Sequence, residues 1–190
     1  MKKVFLYFLF LLIIGSSVFL ILRRKEEFIK NPARYLSAEK LNKIIRETKS
    51  KIDENPEDIF SYIENGIALY QKSEDYYPEA INQFKIALKL GAADIRIFFY
   101  LAIMYDELNL TDKAFSYYEK FLRNRPKDFY IRLRYGNLFF RLNRYQSASE
   151  QYEAALAIEP KNRTALINLA LSYKARICMM RRWKNSNRRN

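Results

Sequence analysis

Two pairs of carboxylates stand close enough in the sequence for acid–base work: Asp106 beside Glu107, and Glu150 three residues before Glu153. An enzyme built on carboxylates alone would use one of them. Paired acids on a helix are far more often surface charge, however, and no pocket-forming loop accompanies either pair. The chain has no histidine and one cysteine, Cys178, so it holds no Ser-His-Asp or Cys-His relay, no His-bearing zinc site and no internal disulfide. Cys178 reads as a small apolar residue rather than a reactive thiol. Its four glycines, Gly15, Gly66, Gly91 and Gly136, stand far apart and build no phosphate-cradling loop. Neither catalysis nor a cofactor is expected.

The other chemistry-bearing cluster is basic. From Arg176 the chain reads RICMMRRWKNSNRRN, with Arg181, Arg182, Lys184, Arg188 and Arg189 around Trp183. Such a run can contact anionic lipid headgroups or nucleic acid through counterion release. It also describes a solvated, disordered end, which charge runs commonly are. The formal charge of +13 is uneven: residues 59–162 carry 14 basic and 13 acidic groups, and residues 163–190 carry 8 and 0. A nucleic-acid partner for the whole domain is therefore not expected.

The elements that must position these groups begin with an apolar run. Residues 4–22 (VFLYFLFLLIIGSSVFLIL) are uncharged, between Lys2, Lys3 and Arg23, Arg24, Lys25. A helix of that length reaches about 28 Å, enough to cross a bilayer once. A cleaved secretory signal is the rival reading, since Gly15-Ser16-Ser17 supplies small residues. The expectation is a single-pass membrane protein. Its basic flanks favour the cytoplasmic side for the remaining chain, with the extracytoplasmic side as the alternative. Residues 1–3 are then a short tail and 23–37 a charged linker holding Pro32. Residues 38–54, striped by Leu41, Ile44, Ile45, Thr48 and Ile52 behind a cap at Ser37, predict a capping helix.

Beyond it the chain repeats itself. Ala80, Ala114 and Ala148 lie 34 apart, as do Phe84, Tyr118 and Tyr152, and Pro126 and Pro160. One period in three rows marks a repeat architecture. The A helices carry Tyr62, Asn65, Gly66, Leu69; then Phe98, Leu101, Ala102, Tyr105; then Arg132, Tyr135, Gly136, Phe139. With the B-helix rows these resemble the tetratricopeptide repeat, whose pattern runs W-x2-L-G-x2-Y, A-x3-F and P. The first copy departs from it through Asn65, two extra residues near Asp75 to Pro78, and Ala92 in place of the proline. A fourth copy opens with Leu166, Leu169, Ala170 and Tyr173, then loses the pattern.

The resemblance implies an all-α fold, a right-handed α-solenoid of about three helix pairs plus terminal helices; the apolar run adds one transmembrane helix before it. The expected repeats are 59–93, 95–128 and 129–162, followed by a C-terminal helix at 163–180 and a basic disordered tail at 181–190. It also implies that the first helix of every pair lines a concave surface.

A second stripe at helical spacing remains once the core stripe is assigned. It comprises Phe60, Ile63, Ile67 and Tyr70; Arg96, Phe99, Ile103 and Asp106; Tyr130, Leu133, Asn137 and Phe140; and Thr164, Ile167, Leu171 and Lys174. An exposed apolar stripe calls for a cover. One reading is a protein or peptide partner, with Arg96, Arg134, Arg141 and Lys174 at the rim favouring acidic flanks. The other is packing within the array or against a second copy of the chain. The terminal-carboxylate clamp of chaperone-binding relatives is not expected, because Ile63 and Ile67 occupy its places.

Overall fold

The computed structural model describes residues 36–187. Eight α-helices run through them: α1 (Ala38–Glu54), α2 (Ile59–Lys72), α3 (Tyr77–Lys89), α4 (Ile95–Glu107), α5 (Thr111–Asn124), α6 (Phe129–Arg141), α7 (Tyr145–Leu156) and α8 (Arg163–Asn187). A 3-10 turn over Glu74–Tyr76 takes up the extra length of the first pair. The fold is an all-α helical repeat that divides into two compact units, one up to Leu90 and one from Gly91.

Local chemistry sets where each pair starts and turns. Asp58, Asp94 and Asp128 cap α2, α4 and α6, each carboxylate accepting from backbone N–H groups of the first turn. Asn162 does the same for α8, accepting from Ala165 N at 3.2 Å. Each cap satisfies donors that the first helical turn leaves without partners. Inside each later pair the chain reverses through Asn109 (φ 56°) and Asn143 (φ 59°), a left-handed conformation that asparagine tolerates better than most residues. The following amides close the helix ends, Leu110 N donating to Tyr105 O at 2.8 Å and Arg144 N to Phe139 O at 2.9 Å.

In the first unit α1 lies along α2 and α2 along α3. Leu41 and Ile45 of α1 are buried, as are Tyr62, Leu69, Ala80 and Phe84 of the pair. Asn65, the polar departure in the first copy, faces α1. Its Nδ2 donates to Thr48 Oγ1 at 2.7 Å and to the Ile45 carbonyl at 3.3 Å. Gly66 exists because the Phe84 ring lies against it: a Cβ there would meet Cε1 at 2.9 Å.

The second unit packs α4 on α5, α6 on α7 and α7 on α8, with lighter contact between α5 and α6. Ala114, Tyr118, Ala148 and Tyr152 are essentially inaccessible, which explains the 34-residue rows. Gly136 repeats the role of Gly66, since an added Cβ would stand 2.6 Å from Tyr152 Cε1.

Two expectations need correcting. Among the described residues no helix is long and apolar enough to cross a membrane. Even α8, 25 residues long, carries Arg163, Lys174, Arg176, Arg181, Arg182 and Lys184. The expected single-pass membrane localisation is therefore set aside; the run on which it rested, residues 4–22, lies outside the described residues. The disordered tail expected from residue 181 is helical as far as Asn187. No glycine or proline interrupts residues 163–190, and Met, Arg and Lys are good helix formers, so nothing stops α8 at residue 180.

Candidate functional site

In the first unit the second stripe is mostly core. Ile63 is 4% and Tyr70 1% exposed, and Tyr70 stacks on Tyr77 with ring centroids 5.5 Å apart. Ile67 is half-buried, and only Phe60, 62% exposed, stands open to solvent. Ile63 and Tyr70 are thus corrected from partner-lining to core residues. A sequence cannot separate two apolar stripes when both are covered.

The second unit divides the same way at its start. Ile103 is fully buried, a further correction, and Asp106 is buried with it. Phe99 is half-buried in a ring cluster, 5.8 Å from Phe121 and 6.0 Å from Tyr130. Asp106 anchors a polar network. The Tyr118 hydroxyl donates to its Oδ2 at 2.7 Å, Arg141 pairs with its Oδ1, and Arg134 lies 3.9 Å away. Arg134 also reaches Glu107 at 2.9 Å. Burial and the neighbouring Asp106 charge together push the Tyr118 hydroxyl far above its ordinary pKa.

This network removes the electrostatic rim expected for the stripe. Arg134 and Arg141 are drawn onto Asp106 and Glu107, and Arg96 pairs with Asp94 at 2.8 Å. It also engages the carboxylates considered for acid–base work. In the other pair, Glu150 accepts from Gln146 at 3.0 Å and Glu153 from the Tyr173 hydroxyl. Among the described residues no group of acids, cysteine or histidine could hold a metal ion.

The exposed part of the stripe collects where α6, α7 and α8 meet. Asn137, Phe140, Arg141, Tyr152, Asn168 and Leu171 line a cavity of about 200 Å³. Asn137 is the link between the three helices, its Oδ1 accepting from the Tyr152 hydroxyl at 2.8 Å and from Asn168 Nδ2 at 2.9 Å. Burial pushes the Tyr152 hydroxyl up to about 12, so it stays a donor across the physiological range. Phe140 rests edge-on against Tyr145, and Tyr130 and Leu133 are half-buried further along α6. Ile167 and Leu171 are 49% and 47% exposed, with Thr164 and Lys174 exposed beside them.

Asn168 and Tyr152 were missed as lining residues. Tyr152 belongs by sequence to the core row, and its hydroxyl bonds to Asn137, another residue of the cavity wall. Asn168, one residue past Ile167, was legible as the polar residue between two apolar stripes of α8.

Comparison with known proteins agrees with this architecture. A family model described as TPR repeat matches residues 136–175, and one described as tetratricopeptide repeat matches residues 65–129. Among solved structures, YrrB, described as a TPR protein with an unusual peptide-binding site, is similar at a TM-score of 0.66 and 19% identity, covering 74% of this chain and 71% of its own. MamA is similar at 0.64 and 16% identity, covering 70% and 71%. The OM64 TPR domain of Arabidopsis reaches 0.54 at 27% identity, covering 61% and 94%. None of the curated proteins matches.

Proposed function

We propose that this chain, a tetratricopeptide-repeat protein over residues 65–129 and 136–175, is a non-enzymatic scaffold that holds a segment of a partner protein on the second stripe of its second unit. The observation that carries this reading is the pairing of a cavity of about 200 Å³ with the half-exposed side chains beside it, Leu171 at 47% and Ile167 at 49%. Apolar anchors around a small concavity, with a few polar groups fixing orientation, are what a short peptide segment requires. Phe99, Tyr130, Leu133 and Phe140 extend the apolar track, and Asn137 and Tyr152 supply its polar floor. YrrB, with its peptide-binding site, offers a precedent on the same fold.

Recognition here is apolar first. The arginines expected to select acidic flanks already have carboxylate partners, and Lys174 stands exposed on the track beside Leu171. The test is a pull-down from cell extract with the double change Ile167→Glu and Leu171→Glu. Both side chains are half-exposed, so helicity by circular dichroism should hold while partner retention falls at least tenfold. Retention equal to the unaltered chain would overturn the proposal.

A further inference from the structure

The other exposed face of α8 is a helix-pair interface with one helix missing among the described residues. Leu166, Ala170, Tyr173 and Ile177 lie four, three and four residues apart and form one stripe. They are exposed: Leu166 48%, Tyr173 40%, Ile177 51%, and Ala170 open as well. The corresponding places in the preceding A helices are covered in whole or in part. Gly66, Ala102 and Gly136, in the row of Ala170, are buried, as are Tyr62, Leu69 and Tyr105, and Phe98, Arg132 and Phe139 are half-buried. In those pairs the B helix lays an aromatic ring on the small residue, Phe84 on Gly66 and Tyr152 on Gly136. Ala170 occupies the same row, yet it is exposed, and no described helix lies over it. Where α4 and α6 stop after 13 residues, α8 runs on for 25.

Charge selects the occupant. Residues 163–190 carry 8 basic and 0 acidic groups, with Arg163, Lys174, Arg181 and Lys184 exposed around the stripe. A second copy of α8 would bring a like-charged helix against it, which is disfavoured. We infer that this stripe docks an acidic helix of a partner protein, one bearing a small residue followed four positions later by an aromatic ring, which completes a fourth helix pair in trans. The ring seats over Ala170, the small residue lets the two helices approach closely, and glutamates or aspartates meet the basic border.

The chain contains a helix of this type. Residues 143–160 carry Ala148 and Tyr152, with one arginine against three glutamates. A helix-stabilised synthetic peptide of that sequence is the probe, titrated by fluorescence anisotropy against the full chain. Saturable binding is expected, weakened at least tenfold by Ala170→Arg in the chain and by Tyr152→Ala in the peptide. Both replacements in the chain and the peptide keep good helix formers in place. Leu171→Glu should leave it intact, which separates this site from the second stripe. Absence of binding to the unaltered chain, or equal binding by Ala170→Arg, would overturn the inference. So would a homodimer in sedimentation that Ala170→Arg disperses, or binding of anionic lipid vesicles to this face in preference to the peptide.

Discussion

Removing the Asp106 carboxylate leaves the Tyr118 hydroxyl and the Arg141 guanidinium without the acceptor that both now share. Because Asp106 and Tyr118 are buried, solvent cannot readily replace what is lost. Hydrogen bonds to charged groups are worth about 1.5–3 kcal/mol, so Asp106→Ala should lower the stability of the second unit by roughly that amount in urea denaturation. Asp106→Asn should cost less, since an amide oxygen still accepts from Tyr118. Equal stability in all three forms would contradict the network. This acid illustrates a limit of sequence reading at the scale of one residue. Asp106-Glu107 reads as a surface pair or a catalytic dyad, and Arg134 and Arg141 read as a rim. Their partnership spans 27 to 35 residues of chain, and no local pattern announces it. The Asx caps are the opposite case: Asp94, Asp128 and Asn162 lie 34 residues apart like the alanines, and Asp58 stands 36 before Asp94 because of the two extra residues in the first copy.

Between helices, the junction of α1 and α2 is held by a polar contact inside an apolar seam. Thr48 Oγ1 accepts from Asn65 Nδ2 at 2.7 Å while directing its own proton to the carbonyls of Ile44 and Ile45. Thr48→Val should destabilise the chain by about 1–3 kcal/mol, because the Asn65 amide loses its nearest acceptor in a buried place. The double change Thr48→Val with Asn65→Leu should recover most of that loss, since both polar ends are then gone. A thermal-melt cycle of the four forms measures the coupling; strictly additive effects would show that the contact contributes nothing. At this scale much was readable. The B-helix rows that carry the period, Ala80, Ala114 and Ala148 with Phe84, Tyr118 and Tyr152, are buried throughout, because every pair must pack the same way. The two apolar stripes of α2 and α4 were not distinguishable, as Ile63, Tyr70 and Ile103 are as apolar as the residues that stay exposed on α8. The end of α8 was misread because a run of charge signals solvation, and solvation does not preclude a helix.

For the molecule as a whole, the tyrosines make stability dependent on alkaline pH. Tyr105, Tyr117, Tyr118, Tyr135 and Tyr152 all have hydroxyls raised above the ordinary tyrosine value, with burial the largest cause in each. The folded chain then binds these protons more tightly than the unfolded chain. Stability from this source is complete below pH about 10, where tyrosine is protonated in both states, and falls as pH rises through the folded values. For Tyr152 that window closes near about 12. Melting temperature should therefore be flat from pH 7 to 9 and drop beyond 10, with a shallower drop in Tyr152→Phe. A melting temperature unchanged at pH 11 would contradict this.

The Thr48–Asn65 contact also fixes which pair α1 can cover. The row that holds Asn65 in α2 holds Leu101 in α4 and Tyr135 in α6, neither of which has an amide to offer the threonine. The three pairs share their buried B-helix rows, and shared rows invite slippage by a whole repeat. Asn65 acts as a key cut for one lock: a chain lengthened or shortened by complete repeats keeps α1 seated only while the asparagine stays in the pair beside it.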